Sequence, residues 1–438
     1  MKYFTFLVLL LIIGQILAQN FENCKGTTNN QPLIDVDAKL VQQTPGGKKY
    51  FFAQGDNQIT IVNVTGTYYE MGYKTGVLMK EEINSNLNEM NKYVVQQIDD
   101  LLENFGVPAY LVKILVNKNI EKLGDYLLGL NWELAFPYIP TRYIDEMQGL
   151  ADGSQASFQL IRNWNMFPEL IKAHCTIVGA WAPSTKGDKL LTLRSLDFDH
   201  ASPMNKNPLI TVYHPTQQDG ENKSYPFSNI GYAGLIGALT ANGSQGVSVA
   251  EKVWLPRDTS NNPTTYQGKP WMFALRDLAE FELTIQDLDD ALWNTDRTCR
   301  IHVGIASAES QTFQGVNYSW KVIEFFNDQN YTYTEAHPQL DGIMYFDKHV
   351  QPSNDACIGD ILSYYWGEIT WETLFRDVAG WHKTGDTQVC VTDVYESTIY
   401  ISYSAANTNI EAHERSPMKI DLRPYYGTSG SLQKPLKN

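Results

Sequence analysis

The sequence predicts an α+β layered fold, with a mainly helical front and a β-rich back joined in one globular unit. Three observations carry this. Before residue 174, apolar residues recur at three and four, the period of an amphipathic helix. After it, short β-branched runs separated by Gly, Asp, Asn and Pro dominate. No internal repeat or low-complexity tract interrupts either half.

Composition bounds the class. The chain has 438 residues, 12% of them aromatic, and a net charge of -15. That length holds one large or two medium domains with a sizeable core, and the aromatic content excludes a disordered chain. The acidic balance argues against a nucleic-acid partner. It suits an acidic compartment, where carboxylates protonate and self-repulsion falls.

Residues 1–18 read as a secretory signal: Lys2 is the charged start, Phe4 to Leu17 is nearly all apolar, and Ala18 precedes a cleavage point before Gln19. The run is short for a membrane span. No later stretch is long and apolar enough to cross a bilayer, so the expectation is a lysosomal or secreted protein without a transmembrane segment. Sequons at Asn63, Asn222, Asn242, Asn317 and Asn330 agree with a glycoprotein of the secretory pathway.

The front, residues 19–174, begins with extended runs at Lys49 to Phe52 and Gln58 to Val62. Gly72 and Gly76 then share one helix face. Glycine there costs about 1 kcal/mol each against alanine, so the spacing predicts close approach of another backbone. Helical periodicity continues from Val77 to Leu130, through Met90, Val94, Ile98 and Leu101, with a break at Gly106-Val107-Pro108 and a further helix through Leu111, Ile114, Leu115 and Leu123. Another helix starts at Pro140, and a short one spans Ser157 to Ile171.

A hairpin follows. His174 to Trp181 and Leu191 to Asp197 flank the turn-forming Pro183-Ser184-Thr185-Lys186-Gly187-Asp188. A turn centred near Lys186 sets Cys175 opposite Asp197, with Arg194 close by along the strand. Thiol, guanidinium and carboxylate then meet at one ribbon end. This predicts cleavage between His174 and Cys175 and a nucleophilic Cys175; the alternative is a buried, inert thiol. In one ideal strand Arg194 and Asp197 face opposite sides, so both serve one site only through a bulge, a bend or a long reach by Arg194. The alternative for this pair is an ordinary strand-end ion pair.

The back, residues 175–438, carries strand-like runs at Pro208 to Tyr213, Ile230 to Thr240, Gly246 to Ala250, Arg300 to Ala306, Trp320 to Phe326, Gln388 to Val394 and Thr398 to Tyr403. Helices are expected at Trp271 to Glu280 and Ile285 to Asn294, and a loop at Asp258 to Gln267. The five cysteines, Cys24, Cys175, Cys299, Cys357 and Cys390, fit two disulfides and one free thiol in an oxidising compartment. No Cys or His pair has zinc-ligand spacing, and neither a metal nor a cofactor is expected.

Cys175-Thr176-Ile177-Val178, the Gly-Asp turn and Arg194-Ser195-Leu196-Asp197 together resemble the N-terminal-nucleophile cysteine hydrolases of the acid ceramidase, N-acylethanolamine acid amidase and penicillin acyltransferase-like group. The likeness extends upstream to Gly66–Gly76 and Pro140–Gly153, and downstream to Ile230–Leu235 and Ser248–Glu251. It implies a four-layer αββα fold and self-cleavage into two chains that stay together. It also implies a secreted or lysosomal amidase acting on a lipid amide or another acylated small molecule through a Cys175 thioester. An N-terminal cysteine carries nucleophile and base in one residue, because its α-amine has an unperturbed pKa of roughly 7.7–8.0. Arg194 would favour the thiolate, Asp197 would orient the amine, and Glu251 matches an acidic site residue of the family. Tyr345 stands where the family has an oxyanion-supporting Asn, which leaves Asn354 as the shifted candidate. The resemblance also implies a Cys24–Cys357 disulfide, which leaves Cys299–Cys390 as the second pair. An ester hydrolase of the phospholipase B-like kind, an acyltransferase on the same nucleophile, and a non-catalytic glycoprotein scaffold are the competing readings.

Overall fold

The computed structural model describes residues 21–96, 127–170, 173–199, 202–216, 223–255, 264–406, 408–428 and 432. The expected signal segment, the helical positions from Ile98 to Leu123 and the sequon at Asn222 lie outside the described residues.

Two sheets form the centre. The larger has ten strands: β1 (Lys39–Thr44), β2 (Gly47–Gln54), β3 (Asn57–Gly66), β6 (Pro208–Pro215), β7 (Phe227–Tyr232), β8 (Thr240–Gly243), β9 (Val247–Val253), β10 (Arg300–Ser307), β11 (Thr312–Ser319) and β12 (Ile323–Phe326), in that spatial order. Its pairs are antiparallel except β3 with β6. The smaller has six antiparallel strands in the order β13 (Ile343–Phe346), β4 (His174–Ala180), β5 (Leu191–Asp197), β14 (Gln388–Asp393), β15 (Thr398–Tyr403) and β16 (Met418–Asp421). Strand alternation sorts their side chains. Ile177, Met344 and Phe346 meet Ala250, Ala306 and Phe313 between the sheets. Val178, Ala180, Leu193, Val389 and Val391 face outward instead.

Helices cover both outer faces. α1 (Tyr68–Leu78), α2 (Lys80–Gln96), α3 (Thr141–Ser154), α4 (Phe158–Leu170), α5 (Trp271–Phe281) and α6 (Ile285–Trp293) contribute to the core of the large sheet. α7 (Cys357–Tyr364) and α8 (Ala379–His382) bury Ile358, Ile361, Leu362 and Ala379 against the outer face of the small sheet. The result is the four-layer αββα arrangement. No helix among the described residues is long and apolar enough to cross a membrane.

The Gly72/Gly76 expectation is met. α1 starts with a Thr67/Glu70 capping box and lies backbone to backbone on α3. A Cβ at Gly72 would meet the Glu146 carbonyl oxygen at 2.1 Å, and one at Gly149 would meet that of Tyr69 at 2.1 Å. Front and back are also tied by charge. Arg276 of α5 donates to both carboxylate oxygens of Glu146 in α3, at 3.0 and 2.6 Å, with both side chains fully buried.

Several strand expectations need correction. Ile230 to Thr240 is two strands with a buried turn between them. Gly234 takes φ +90°, and side-chain amides replace the ladder: Asn229 donates to the carbonyls of Ile236 and Gly237, while Asn165 accepts from the Ile236 N–H. Only Ile323 to Phe326 of the run from Trp320 is strand, because Ser319 closes a turn onto the Val322 carbonyl. β1, β11, β13, β16, α7 and α8 are elements the sequence pattern does not predict.

Candidate active site

Cys175 is the second residue of β4, and its register differs from expectation. His174 faces Asp197, Cys175 faces Leu196, and Ile177 faces Arg194. The hairpin is thus offset by one residue from the expected pairing, because its turn centres between Thr185 and Lys186.

This offset places Cys175 diagonally from Arg194 on the face between the sheets. Arg194 Nη2 lies 3.4 Å from Cys175 Sγ. The same guanidinium donates to Glu251 Oε2 at 3.2 Å, to the Glu251 carbonyl at 3.3 Å, and to Gln388 Oε1 at 3.2 Å. Glu251, near the end of β9, is buried, and its Oε1 has no hydrogen-bond partner among the described residues. Burial raises its carboxyl pKa, and Arg194 pulls the other way.

Asp197 occupies the opposite face, as strand alternation requires. β4 and β5 pair without a bulge, and Arg194 reaches the sulfur directly. Asp197 Oδ1 accepts from the backbone N–H of Gly385 at 2.6 Å and of Asp386 at 3.3 Å, and Oδ2 accepts from Thr384 Oγ1 at 2.7 Å. Thr384 Oγ1 also touches Ser195 Oγ at 2.6 Å and Thr176 Oγ1 at 2.9 Å.

The Cys175 thiol is wholly buried. Burial pushes its pKa far up, Arg194 opposes this, and Glu251 and Asp197 add to it. Burial thus opposes the thiolate that Arg194 favours.

Two spaces open beside the neighbours of Cys175. A cleft of about 990 Å³ is lined by His174, Asp197, His349, Asn354, Lys383 and Asp386, among others. The second is a narrow cavity of about 40 Å³, enough for a few waters at most. Its walls include Trp164, Phe167, Phe198, Met204, Leu239 and Trp271, and it also touches Arg194, Glu251 and Ala173.

Asn354 is exposed on the cleft and has no recorded contact with Cys175. Tyr345 points outward from the small sheet, stacked on His337 with ring centroids 3.7 Å apart. His174 Nδ1 lies 3.2 Å from the Lys348 carbonyl. Lys252, next to Glu251, was missed by the sequence reading. It is completely buried, its Nζ donates to the Val253 carbonyl at 2.9 Å, and burial lowers its pKa to about 8 against the pull of Asp347 and Cys175.

Cys24 and Cys357 are bonded, across a separation of 333 residues. The Cys299–Cys390 pair does not form, and both are free thiols. Cys390 lies in β14 opposite Arg194, whereas Cys299 leads into β10 of the other sheet and directs its thiol to the Glu169 carbonyl at 3.7 Å. The sequon Asn242 is also corrected: it is buried in β8, with Nδ2 3.4 Å from Thr392 Oγ1, where a glycan has no room. Asn63 and Asn317 are half-buried, and Asn330 is exposed.

No family model matches the chain. Protein dcd1A of Dictyostelium discoideum is 33% identical over 447 residues, covering 97% of this chain and all of that protein. Protein dcd1B of the same organism is 33% identical over 384 residues, covering 86% of this chain and 74% of that protein. Among solved structures, a Caenorhabditis elegans N-acylethanolamine-hydrolyzing acid amidase ortholog is similar at 13% identity and TM-score 0.36, over 50% of this chain and 93% of its own. Penicillin V acylase from Agrobacterium tumefaciens is similar at 10% identity and TM-score 0.37, over 57% of this chain and 92% of its own. Scores of this size leave the chemistry to be argued from the chain's own residues.

Proposed function

The chain belongs to the family of the Dictyostelium proteins dcd1A and dcd1B, and from that footing we propose that it is a self-cleaving cysteine amidase of the secretory pathway acting on fatty-acyl amides. The carrying observation is the contact of Arg194 with Cys175 Sγ at the start of β4, with Glu251 behind the guanidinium. Asp197 stands at the strand end beyond it.

In the first step, Cys175 Sγ attacks the His174 carbonyl carbon. The peptide nitrogen takes up the thiol proton and leaves as the Cys175 α-amine, giving a thioester. Water then hydrolyses the thioester, leaving a carboxylate on His174 and a free thiol and amine on Cys175. In catalysis the α-amine accepts the thiol proton, the sulfur attacks the substrate carbonyl, and the leaving amine departs with that proton. Water resolves the acyl-enzyme. Arg194 stabilises the sulfur's charge, and Asp197 orients the amine. Asn354, on the cleft, is the residue we assign to the oxyanion.

The apolar cavity supports a fatty-acyl substrate. Ala173, two residues before Cys175, forms part of its wall. Cleavage at His174–Cys175 would open the chain one residue from that wall.

Intact mass and N-terminal sequencing of the purified chain, with and without reductant after acidic incubation, test this. A new chain starting Cys175-Thr176-Ile177 and still disulfide-linked to the front piece is the expected result. An intact chain with Cys175→Ala indistinguishable from wild type would overturn it and favour the scaffold reading.

A further inference from the structure

Beside the cleft, Asp347, His349 and His382 converge, each offering one ligand atom, and those three atoms lie within 4.8 Å of one another. The proposed amidase chemistry uses none of them. Spacing along the chain hides the group: Asp347 and His349 follow β13, and only the fold brings them to His382 at the end of α8.

The local hydrogen bonding leaves the cluster unsatisfied. Asp347 is wholly buried. Its Oδ1 accepts from the His349 N–H and from Gln351 Nε2, both at 2.8 Å, and lies 3.3 Å from His349 Nδ1. Its Oδ2 is buried with no hydrogen bond among the described residues. His382 is 5% exposed, and both of its ring nitrogens are buried without a hydrogen-bond partner among the described residues. Buried polar groups are ordinarily hydrogen-bonded, so these unpartnered atoms call for a partner that the described residues do not supply. Asp355 Oδ1, 3.8 Å from His382 Nε2, is a further oxygen at the same place.

We propose that Asp347, His349 and His382 form a binding site for a divalent transition-metal ion of the zinc class. Two imidazoles and a carboxylate suit zinc, whereas magnesium and calcium prefer all-oxygen sets. Tetrahedral ligands at zinc distances sit about 3.4 Å apart; Asp347 Oδ1 and His349 Nδ1 are already 3.3 Å apart, and the ligand atoms farthest apart need to draw in by up to about 1.4 Å. Asp355 or a water completes the four. The ion would join the turn after β13 to the end of α8. Lys348, between two ligands, already holds His174 through its carbonyl and Lys383 through its Nζ, at 3.2 and 2.6 Å. The ion would therefore stiffen the rim of the cleft next to residue 174.

The test is isothermal titration of the full-length, chelator-treated chain, free of any polyhistidine tag, with zinc chloride, together with cobalt(II) absorption spectra. One zinc per chain and a cobalt spectrum with tetrahedral d–d bands are expected. His382→Ala and Asp347→Asn should weaken zinc binding at least ten-fold. Because those two side chains are buried, His349→Ala at the exposed position is the deciding variant, and it should also lose at least ten-fold with an unchanged circular dichroism spectrum. No saturable zinc binding by the wild type, or undiminished binding by His349→Ala, would overturn the site. Neither readout depends on amidase activity.

Discussion

Arg194 Nη2 lies 3.4 Å from Cys175 Sγ across the diagonal of the β4–β5 ribbon, and the same nitrogen lies 3.2 Å from Glu251 Oε2. One buried cation therefore neutralises a carboxylate and faces the nucleophile. Removing it alone leaves the buried Glu251 carboxyl unpaired, a change worth about 3–5 kcal/mol. Arg194→Gln is expected to lose stability on that scale in urea unfolding. The double variant Arg194→Gln/Glu251→Gln should recover much of it, yet alkylate Cys175 slowly and remain uncleaved. Recovery of cleavage along with stability would remove Arg194 from the chemistry.

Asp197 depends on Thr384, whose hydroxyl also contacts Ser195 and Thr176. Thr384→Val removes the hydroxyl that joins these oxygens, at a cost of about 1–3 kcal/mol. On the proposed role of Asp197 it should also slow cleavage, by loosening that carboxylate. Thr384→Ser retains the hydroxyl and should restore both. Measuring cleavage half-time beside unfolding midpoint separates the effects, since a purely structural role would leave cleavage of the folded fraction unchanged.

The backbone contact of α1 with α3 leaves no space for a methyl group. A Cβ at Gly72 would lie 2.1 Å from the Glu146 carbonyl oxygen. The helices must separate to admit it, and overpacking of this kind costs about 1–3 kcal/mol or more. Gly72→Ala should lower the thermal midpoint sharply. Gly129→Ala, whose Cβ would meet only Arg162 Nη2 at 3.6 Å, should be close to neutral. Equal midpoints for the two would contradict the packing.

How far these features could be read from the chain follows from how local their signals are. The hairpin, the Gly72/Gly76 contact and the layered α+β class rest on periodicity and turn chemistry within about a dozen residues. The register slipped by one because Pro183 to Asp188 allows more than one turn centre, and a one-residue shift changes every facing pair. β7 and β8 merged in the reading because an apolar run carries no mark of Gly234's positive φ. Lys252, the Asp347/His349/His382 group and the free state of Cys299 and Cys390 depend on contacts between distant segments, which spacing does not encode.

The disulfide spans the proposed cleavage point, with Cys24 before it and Cys357 after it. Closing so long a loop stabilises by about 2–5 kcal/mol in the chain-entropy account. Cys24→Ser should lower the unfolding midpoint accordingly. On non-reducing gels, cleaved Cys24→Ser should run as two pieces where the wild type runs as one. Separation of the wild type without reductant would mean that the bond does not hold the pieces.

Buried carboxyls give stability a pH dependence with a definite sign. Burial pushes Glu169 up to about 8, opposed by the Trp271 N–H and the Thr298 hydroxyl, and pushes Glu280 up to about 7, opposed first by Arg276. Unfolded, such groups titrate near 4.5. Between about 4.5 and 8 the folded chain therefore holds a proton that the unfolded chain has released. The contribution is fully present below the unfolded value and is lost as pH rises through the folded one, at up to about 1.4 kcal/mol per pH unit per group. Glu169→Gln keeps an acceptor for Trp271 and Thr298 but cannot titrate. Urea unfolding at about pH 5 and about pH 7.5 should show the wild type losing more stability on that rise than Glu169→Gln. Parallel losses in the two proteins would mean that Glu169 takes up no proton on folding.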